Sequence, residues 1–177
     1  MKNFALILLL ICSFYSCKSS KRVAEKKYNT SKVSEIVTTD NSITENFKID
    51  STINYIIDYA KQFDGVKYKF GGTTKKGMDC SGLVTTAFKS ENILLPRTTE
   101  GMALKGNPIG INDVQKGDLL FFATKKNKEK INHVGLVTDV RPGYVEFIHA
   151  TTSAGVIISN LAERYWHFAF VQARRIL

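Results

Sequence analysis

Apolar residues fall into three regimes along the 177-residue chain. The first is an unbroken run from Phe4 to Ile11, preceded by Lys2 and followed by Cys12 and the small polar stretch Ser13 to Ser16. In the second, residues 18–50, isolated Val and Ile are scattered among Ser, Thr, Asn and Lys with no sustained period. The third opens with Ile53, Ile56, Ile57, Ala60 and Phe63, the spacing of one buried helical stripe behind a Ser51 or Thr52 cap. A loop from Asp64 to Gly77 precedes a second helix, predicted from Asp79-Cys80-Ser81 to near Glu91-Asn92 with Leu83, Val84, Ala87 and Phe88 on one face. A short helix is expected over Thr99 to Leu104. From Gly117 onward the pattern predicts strands over 118–123, 133–140, 144–150, 156–160 and 168–173, with turns at Lys125 to Lys130, Arg141-Pro142-Gly143 and Ser153-Ala154-Gly155. Helices first and strands afterwards predict an α+β fold with an antiparallel sheet.

The first two regimes lie outside this domain. Eight apolar residues behind a lysine make a signal-peptide core, far short of the roughly 20 a spanning helix needs. Residues 1–16 are thus expected to be an export signal. Cys17, after Ser16 and before Lys18-Ser19-Ser20-Lys21, resembles the acylated cysteine of a bacterial lipoprotein. That implies a membrane attachment through lipid on Cys17 and a place in the cell envelope, at the outer membrane facing the periplasm. Residues 18–50 hold seven Lys/Arg, five Asp/Glu and no glycine or proline. They bury too little apolar area to offset ordering entropy, so 17–50 reads as a tether and 51–177 as the domain.

Composition narrows the chemistry. Three cysteines and three histidines are too few for an iron-sulfur protein or a zinc-ribbon array. The formal charge is +9 for the chain and 17 − 11 = +6 for residues 51–177. Such a surplus favours nucleic acid, anionic lipid or a carboxylate-rich polymer; the export signal removes nucleic acid from that choice. Lys75-Lys76 and Lys125 to Lys130 read as solvated loop charges.

With Cys12 in the signal and Cys17 lipidated, Cys80 is the remaining free thiol. Asp79 at the cap position places it in the first turn of a helix, where unpaired N–H groups favour thiolate while the Asp79 charge opposes it. A nucleophilic thiol needs a base and a group that orients the base. His133 opens one predicted strand and His149 closes the next. With a three-residue loop at 141–143, paired positions sum to 284, His149 faces Gly135, and His133 and His149 become diagonal neighbours on one face. A two-residue loop puts them on opposite faces unless a bulge restores the register. His167 reads as packing or surface. A zinc site from Cys80, His133 and His149 has suitable ligand types but no short chelating pair.

Six segments then carry a family resemblance: Tyr68-Lys69-Phe70-Gly71-Gly72, Met78-Asp79-Cys80-Ser81-Gly82-Leu83-Val84, Leu95-Pro96-Arg97-Thr98, Lys116-Gly117-Asp118-Leu119, Asn132-His133-Val134-Gly135 and Phe147-Ile148-His149-Ala150. In this order they resemble the NlpC-type cell-wall cysteine peptidases, and among them the Spr-like lipoprotein murein endopeptidases. Gly155-Val156-Ile157-Ile158-Ser159 and Ala173-Arg174-Arg175 extend the likeness, which covers residues 53–177. It implies a papain-like α+β fold, the nucleophile helix packed on the antiparallel sheet that bears the histidines. It also implies Cys80 as nucleophile, His133 as base and His149 as its orienter. Tyr68 would assist the Cys80 backbone N–H at the oxyanion, and Asp79 and Ser81 would receive a substrate amine. The implied reaction is amide hydrolysis in peptidoglycan stem peptides or their cross-links through a thioester, with no metal or cofactor. An amidase or acyltransferase on the same scaffold, and a catalytically silent wall-binding lipoprotein, are the competing readings. The sequence identifies no adaptor or protease that would restrain such an enzyme.

Overall fold

A computed structural model describes residues 30–125 and 130–177, with side chains from residue 44 onward. The export-signal segment, Cys17 and the middle of the 125–130 turn lie outside the described residues. The helices are α1 (Thr30–Lys61), α2 (Cys80–Lys89), α3 (Thr99–Met102) and α4 (Arg164–Ala169). The strands are β1 (Thr73–Thr74), β2 (Gly77–Met78), β3 (Asn107–Ile109), β4 (Leu119–Phe122), β5 (His133–Arg141), β6 (Tyr144–Thr151), β7 (Gly155–Asn160) and β8 (Phe170–Arg175). Strands β1 and β2 form a small hairpin, and the other six form one antiparallel sheet in the order β3-β8-β4-β5-β6-β7.

The first helix starts at Thr30, not at Ser51. Residues 44–48 of it are exposed, and burial sets in with Ile56, Ile57, Ala60 and Phe63, the stripe the pattern marks. Extending a helix costs little once it is nucleated, and residues 30–50 hold no proline or glycine to stop it. Among the described side chains, helicity therefore precedes burial along α1, because different forces set them.

The sheet has two buried faces. On one, Leu119, Phe121, Val134, Leu136, Ile148 and Ala150 pack with the apolar stripes of α1 and α2. On the other, Leu120, Phe122, Val137, Phe147 and Ala173 pack with Trp166 and Ala169 of α4. Helix α4 departs from expectation, since residues 168 and 169 belong to it and the last strand starts at Phe170. The run Tyr165-Trp166-His167-Phe168 has strand-forming composition, but the buried pair Trp166 and Ala169 is spaced by three, one helical turn.

The β5–β6 hairpin combines both registers considered from sequence. Arg141 pairs with Tyr144 across a two-residue turn, and the ladder then shifts between Val137 and Asp139. Thr138 is the extra residue, and its hydroxyl donates to Glu146 Oε1 at 2.6 Å. Beyond it Val137 pairs with Phe147 and Leu136 with Ile148, the register in which positions sum to 284. The bulge thus delivers the alignment expected of a three-residue loop.

Candidate active site

Helix α2 begins at Cys80 because Asp79 caps it in extended backbone, its Oδ1 accepting from Gly82 N at 2.7 Å. The Cys80 backbone N–H is one of the first-turn donors that no residue of the helix can satisfy. Gly82 lets this turn sit against the preceding loop, since an added Cβ would lie 2.0 Å from the Gly72 carbonyl oxygen. The Asp79 carboxylate is fully engaged. Oδ1 also accepts from the Ser81 hydroxyl at 3.3 Å, and Oδ2 accepts from Gly71 N at 2.7 Å and Arg97 Nη2 at 2.8 Å. Arg97 Nη1 donates to Ser81 Oγ at 2.6 Å. Burial pushes the Asp79 pKa up, but Arg97 and the Gly82 and Gly71 amides outweigh it and hold the group below its ordinary value.

The Cys80 thiol faces a cleft of about 1110 Å³ that is also lined by Tyr68, Asp79, Ser81, Arg97 and His133. Its sulfur meets the Val134 and Ser81 backbone N–H groups, and Thr99 Oγ1 lies 3.9 Å away. Burial pushes the thiol pKa above its ordinary value; these donors pull the other way, while the Asp79 charge adds to the rise. Desolvation therefore outweighs the helix terminus, and the resting group is a thiol. Tyr68 also keeps its proton, its pKa raised by burial first, with the Asp79 charge adding to the rise.

His133 and His149 meet on the α4 side of the sheet. His133 Nε2 lies 2.9 Å from His149 Nδ1, with the rings nearly perpendicular at 89°. His149 is completely buried, and its Nε2 lies 3.0 Å from Ser159 Oγ. Gly135 opens the necessary space, because a Cβ there would stand 2.4 Å from Phe147 Cδ2 and 3.4 Å from His149 Cβ. Trp166 stacks on His133 at 5.3 Å between centroids and meets His149 edge-on at 4.5 Å. Burial lowers the His133 pKa to about 4. It lowers that of His149 to about 3, with the His133 charge adding to the effect. At neutral pH both rings are uncharged. With Nε2 committed to His149, His133 has Nδ1 left for an exchangeable proton.

The structure thus gathers Cys80, His133, Tyr68, Asp79 and Ser81 around one cleft and sets His149 behind His133. A substrate amine at Asp79 would have to displace one of the four donors already there. His167 flanks a separate groove beside the β5–β6 turn, away from the cleft. Three contributors had no role assigned from sequence: Arg97, Trp166 and Ser159. Strand arithmetic could have found Ser159, since His149 pairs with Ile157 and Ser159 lies two residues further along on the same face. Trp166 depended on recognising α4.

A family model described as the NlpC/P60 family matches residues 65–175. A probable endopeptidase NlpC homolog of Haemophilus influenzae is 43% identical over 114 residues, covering 64% of this chain and 57% of that protein. The Escherichia coli murein DD-endopeptidase MepS/murein LD-carboxypeptidase is 38% identical over 123 residues, covering 69% of this chain and 62% of that protein. The matched stretch therefore spans about three-fifths of these two relatives. Among solved structures, an NlpC/P60 family protein from Bacillus cereus superposes with a TM-score of 0.64 at 31% identity, covering 71% of this chain and 40% of that one. The family match, over the stretch that contains the thiol and both histidines, shows that the chain belongs to the NlpC/P60 family.

Proposed function

We propose that this protein is a cysteine endopeptidase that hydrolyses amide bonds in the peptide part of peptidoglycan. The observation that carries the proposal is the buried His133–His149 pair behind a thiol at a helix N-terminus, in an open cleft. The MepS relative is named a murein DD-endopeptidase, which supports the substrate class. The +6 charge of residues 51–177 suits stem peptides rich in carboxylates.

In the proposed reaction the Cys80 proton passes to His133 Nδ1 as sulfur attacks the scissile carbonyl carbon. The Cys80 backbone N–H and the Tyr68 hydroxyl hold the developing oxyanion. The His133 imidazolium keeps its Nε2–H, hydrogen-bonded to His149 Nδ1, and gives the Nδ1 proton to the departing amine, leaving a thioester on Cys80. Water, losing a proton to His133, then attacks the thioester carbonyl; the departing sulfur takes that proton back from His133 as the thiol, and the acid product releases its remaining proton to solvent as it leaves as a carboxylate. Asp79 and Ser81 serve this chemistry by fixing the start of α2 and Arg97.

The test is digestion of purified sacculi by wild type and Cys80→Ala, with muropeptides read by mass spectrometry. Wild type is expected to remove cross-linked dimers or shorten stems, and Cys80→Ala to do neither; equal digestion by both defeats the mechanism. Glycan strands stripped of whole stems would reassign the protein as an amidase.

We also infer a lipid anchor on Cys17 that holds the domain at the envelope, supported by Lys2, the apolar run Phe4 to Ile11 and Ser16 before Cys17. Labelled palmitate should enter the wild type and not Cys17→Ser. Equal labelling of the two removes the anchor.

A further inference from the structure

We propose that Ser159 is a positioning residue that sets the proton pattern of the histidine pair by accepting a hydrogen bond from His149 Nε2. The inference deepens the function proposed above and rests on it. Its basis is a diagonal line of three polar side chains across three strands. With paired positions summing to 284 on β5–β6 and 306 on β6–β7, His133, His149 and Ser159 fall at successive two-residue steps on one sheet face. Their polar atoms meet at 2.9 and 3.0 Å, and all three residues are buried.

Each neutral imidazole has one donor and one acceptor nitrogen, so the three groups admit two self-consistent patterns. In one, the Ser159 hydroxyl donates to His149 Nε2, His149 Nδ1–H donates to His133 Nε2, and His133 carries a proton on Nδ1. That ring cannot take a proton from Cys80. In the other, His133 Nε2–H donates to His149 Nδ1, His149 Nε2–H donates to Ser159 Oγ, and His133 Nδ1 is a free base. Burial holds both rings uncharged at neutral pH, so the choice lies between tautomers and not between charge states. The proton transfer proposed above needs the second pattern, in which Ser159 Oγ accepts from His149 Nε2–H; an alanine there leaves that buried N–H without its acceptor and so weakens the second pattern. The same logic accounts for a polar residue at position 159 on a face otherwise filled by Phe122, Phe147 and Trp166.

The experiment uses the full chain with ¹⁵N-labelled histidine. In wild type at pH 7 the His149 ¹⁵N spectrum should show a protonated Nε2 and a bare Nδ1. Ser159→Ala should show exchange between tautomers and lose about 10- to 100-fold in kcat on muropeptides, with KM within twofold. Ser159→Thr keeps the hydroxyl and should restore both readouts, which separates the hydrogen bond from simple packing. A wild-type His149 protonated on Nδ1 would overturn the assignment, as would a Ser159→Ala protein with unchanged tautomer and kcat within twofold. If wild type releases no product from peptidoglycan, the substrate reading fails instead, and the tautomer spectrum together with the alkylation rate of Cys80 still decides the role of Ser159.

Discussion

The two faces of the central sheet are built from alternate residues of the same strands and have opposite characters. Toward α1 and α2, β5 and β6 present Val134, Leu136, Ile148 and Ala150, aliphatic side chains that only pack. Toward α4 the alternate positions are His133, Gly135, Val137, Phe147 and His149, and aromatic rings surround the imidazoles. The thiol helix belongs to the first core and the histidines to the second, and both border the same cleft where β5 begins. One face thus fixes where the Cys80 thiol sits and the other sets the protonation state of the imidazole that shares its cleft. Because the strand period is two, a slip of one residue would exchange these roles entirely. The bulge at Thr138 is the device that holds the register where it matters.

The largest expected effect comes from opening the aromatic face. Trp166→Ala removes a buried indole that covers both imidazoles and should cost about 3–5 kcal/mol of stability, measured by urea unfolding. It should also admit water and raise the His133 pKa from about 4 toward the ordinary value. Histidine titration by NMR checks this. A pKa that stays near 4 in a folded Trp166→Ala protein would show that Trp166 does not control the dryness of the pair.

A second effect, absent at neutral pH and growing as pH falls, follows from linkage. The folded pKa values of about 4 and about 3 lie below the ordinary 6.5, so below pH 6.5 the unfolded chain binds protons that the folded pair refuses. Stability from this source is complete above about pH 6.5 and declines as pH falls toward the folded values. Where both rings are charged only in the unfolded state, the slope approaches ~2.7 kcal/mol per pH unit. Calorimetry from pH 7.5 to pH 5 should show a falling Tm. A flat profile over that interval would mean the imidazoles are not held neutral by the fold.

The difference between the faces also explains how much of the site was legible in the sequence. Alternation in Phe147-Ile148-His149-Ala150 offered the 284 register, with His133 and His149 on one face, as one of two readings. The route to that register was not legible, because a three-residue turn and a two-residue turn plus a bulge give the same alignment beyond Val137. The thiol at the start of α2 was legible from its cap and stripe. Its protonation state was not, since N–H donors and burial act in opposite directions and only the degree of enclosure decides between them. Helix α4 was hidden for a related reason: it is a single turn and a half, with aromatic composition typical of a strand, and tertiary packing of Trp166 and Ala169 selects the helix.

The most discriminating test of the two faces uses neighbours in sequence. Phe147 and Ile148 are adjacent, both completely buried, and point to opposite sides of β6. Ile148→Val removes one methylene from the aliphatic face and should cost about 0.5–1.5 kcal/mol of stability. Phe147→Leu should cost about 1–2 kcal/mol, so the two variants differ little in unfolding. Their activities should diverge. Phe147 lies 4.7 Å, centroid to centroid, from His149 and fills the space above Gly135, so shrinking it frees the His149 imidazole, and through it His133, to tilt. Phe147→Leu is therefore expected to lose roughly tenfold in kcat/KM on muropeptides, about 1.4 kcal/mol in the barrier, while Ile148→Val stays within twofold of wild type. Equal activity in the two would mean that the aromatic face, like the aliphatic one, contributes packing alone. A larger loss in Ile148→Val would place control of the base with the core that carries α2.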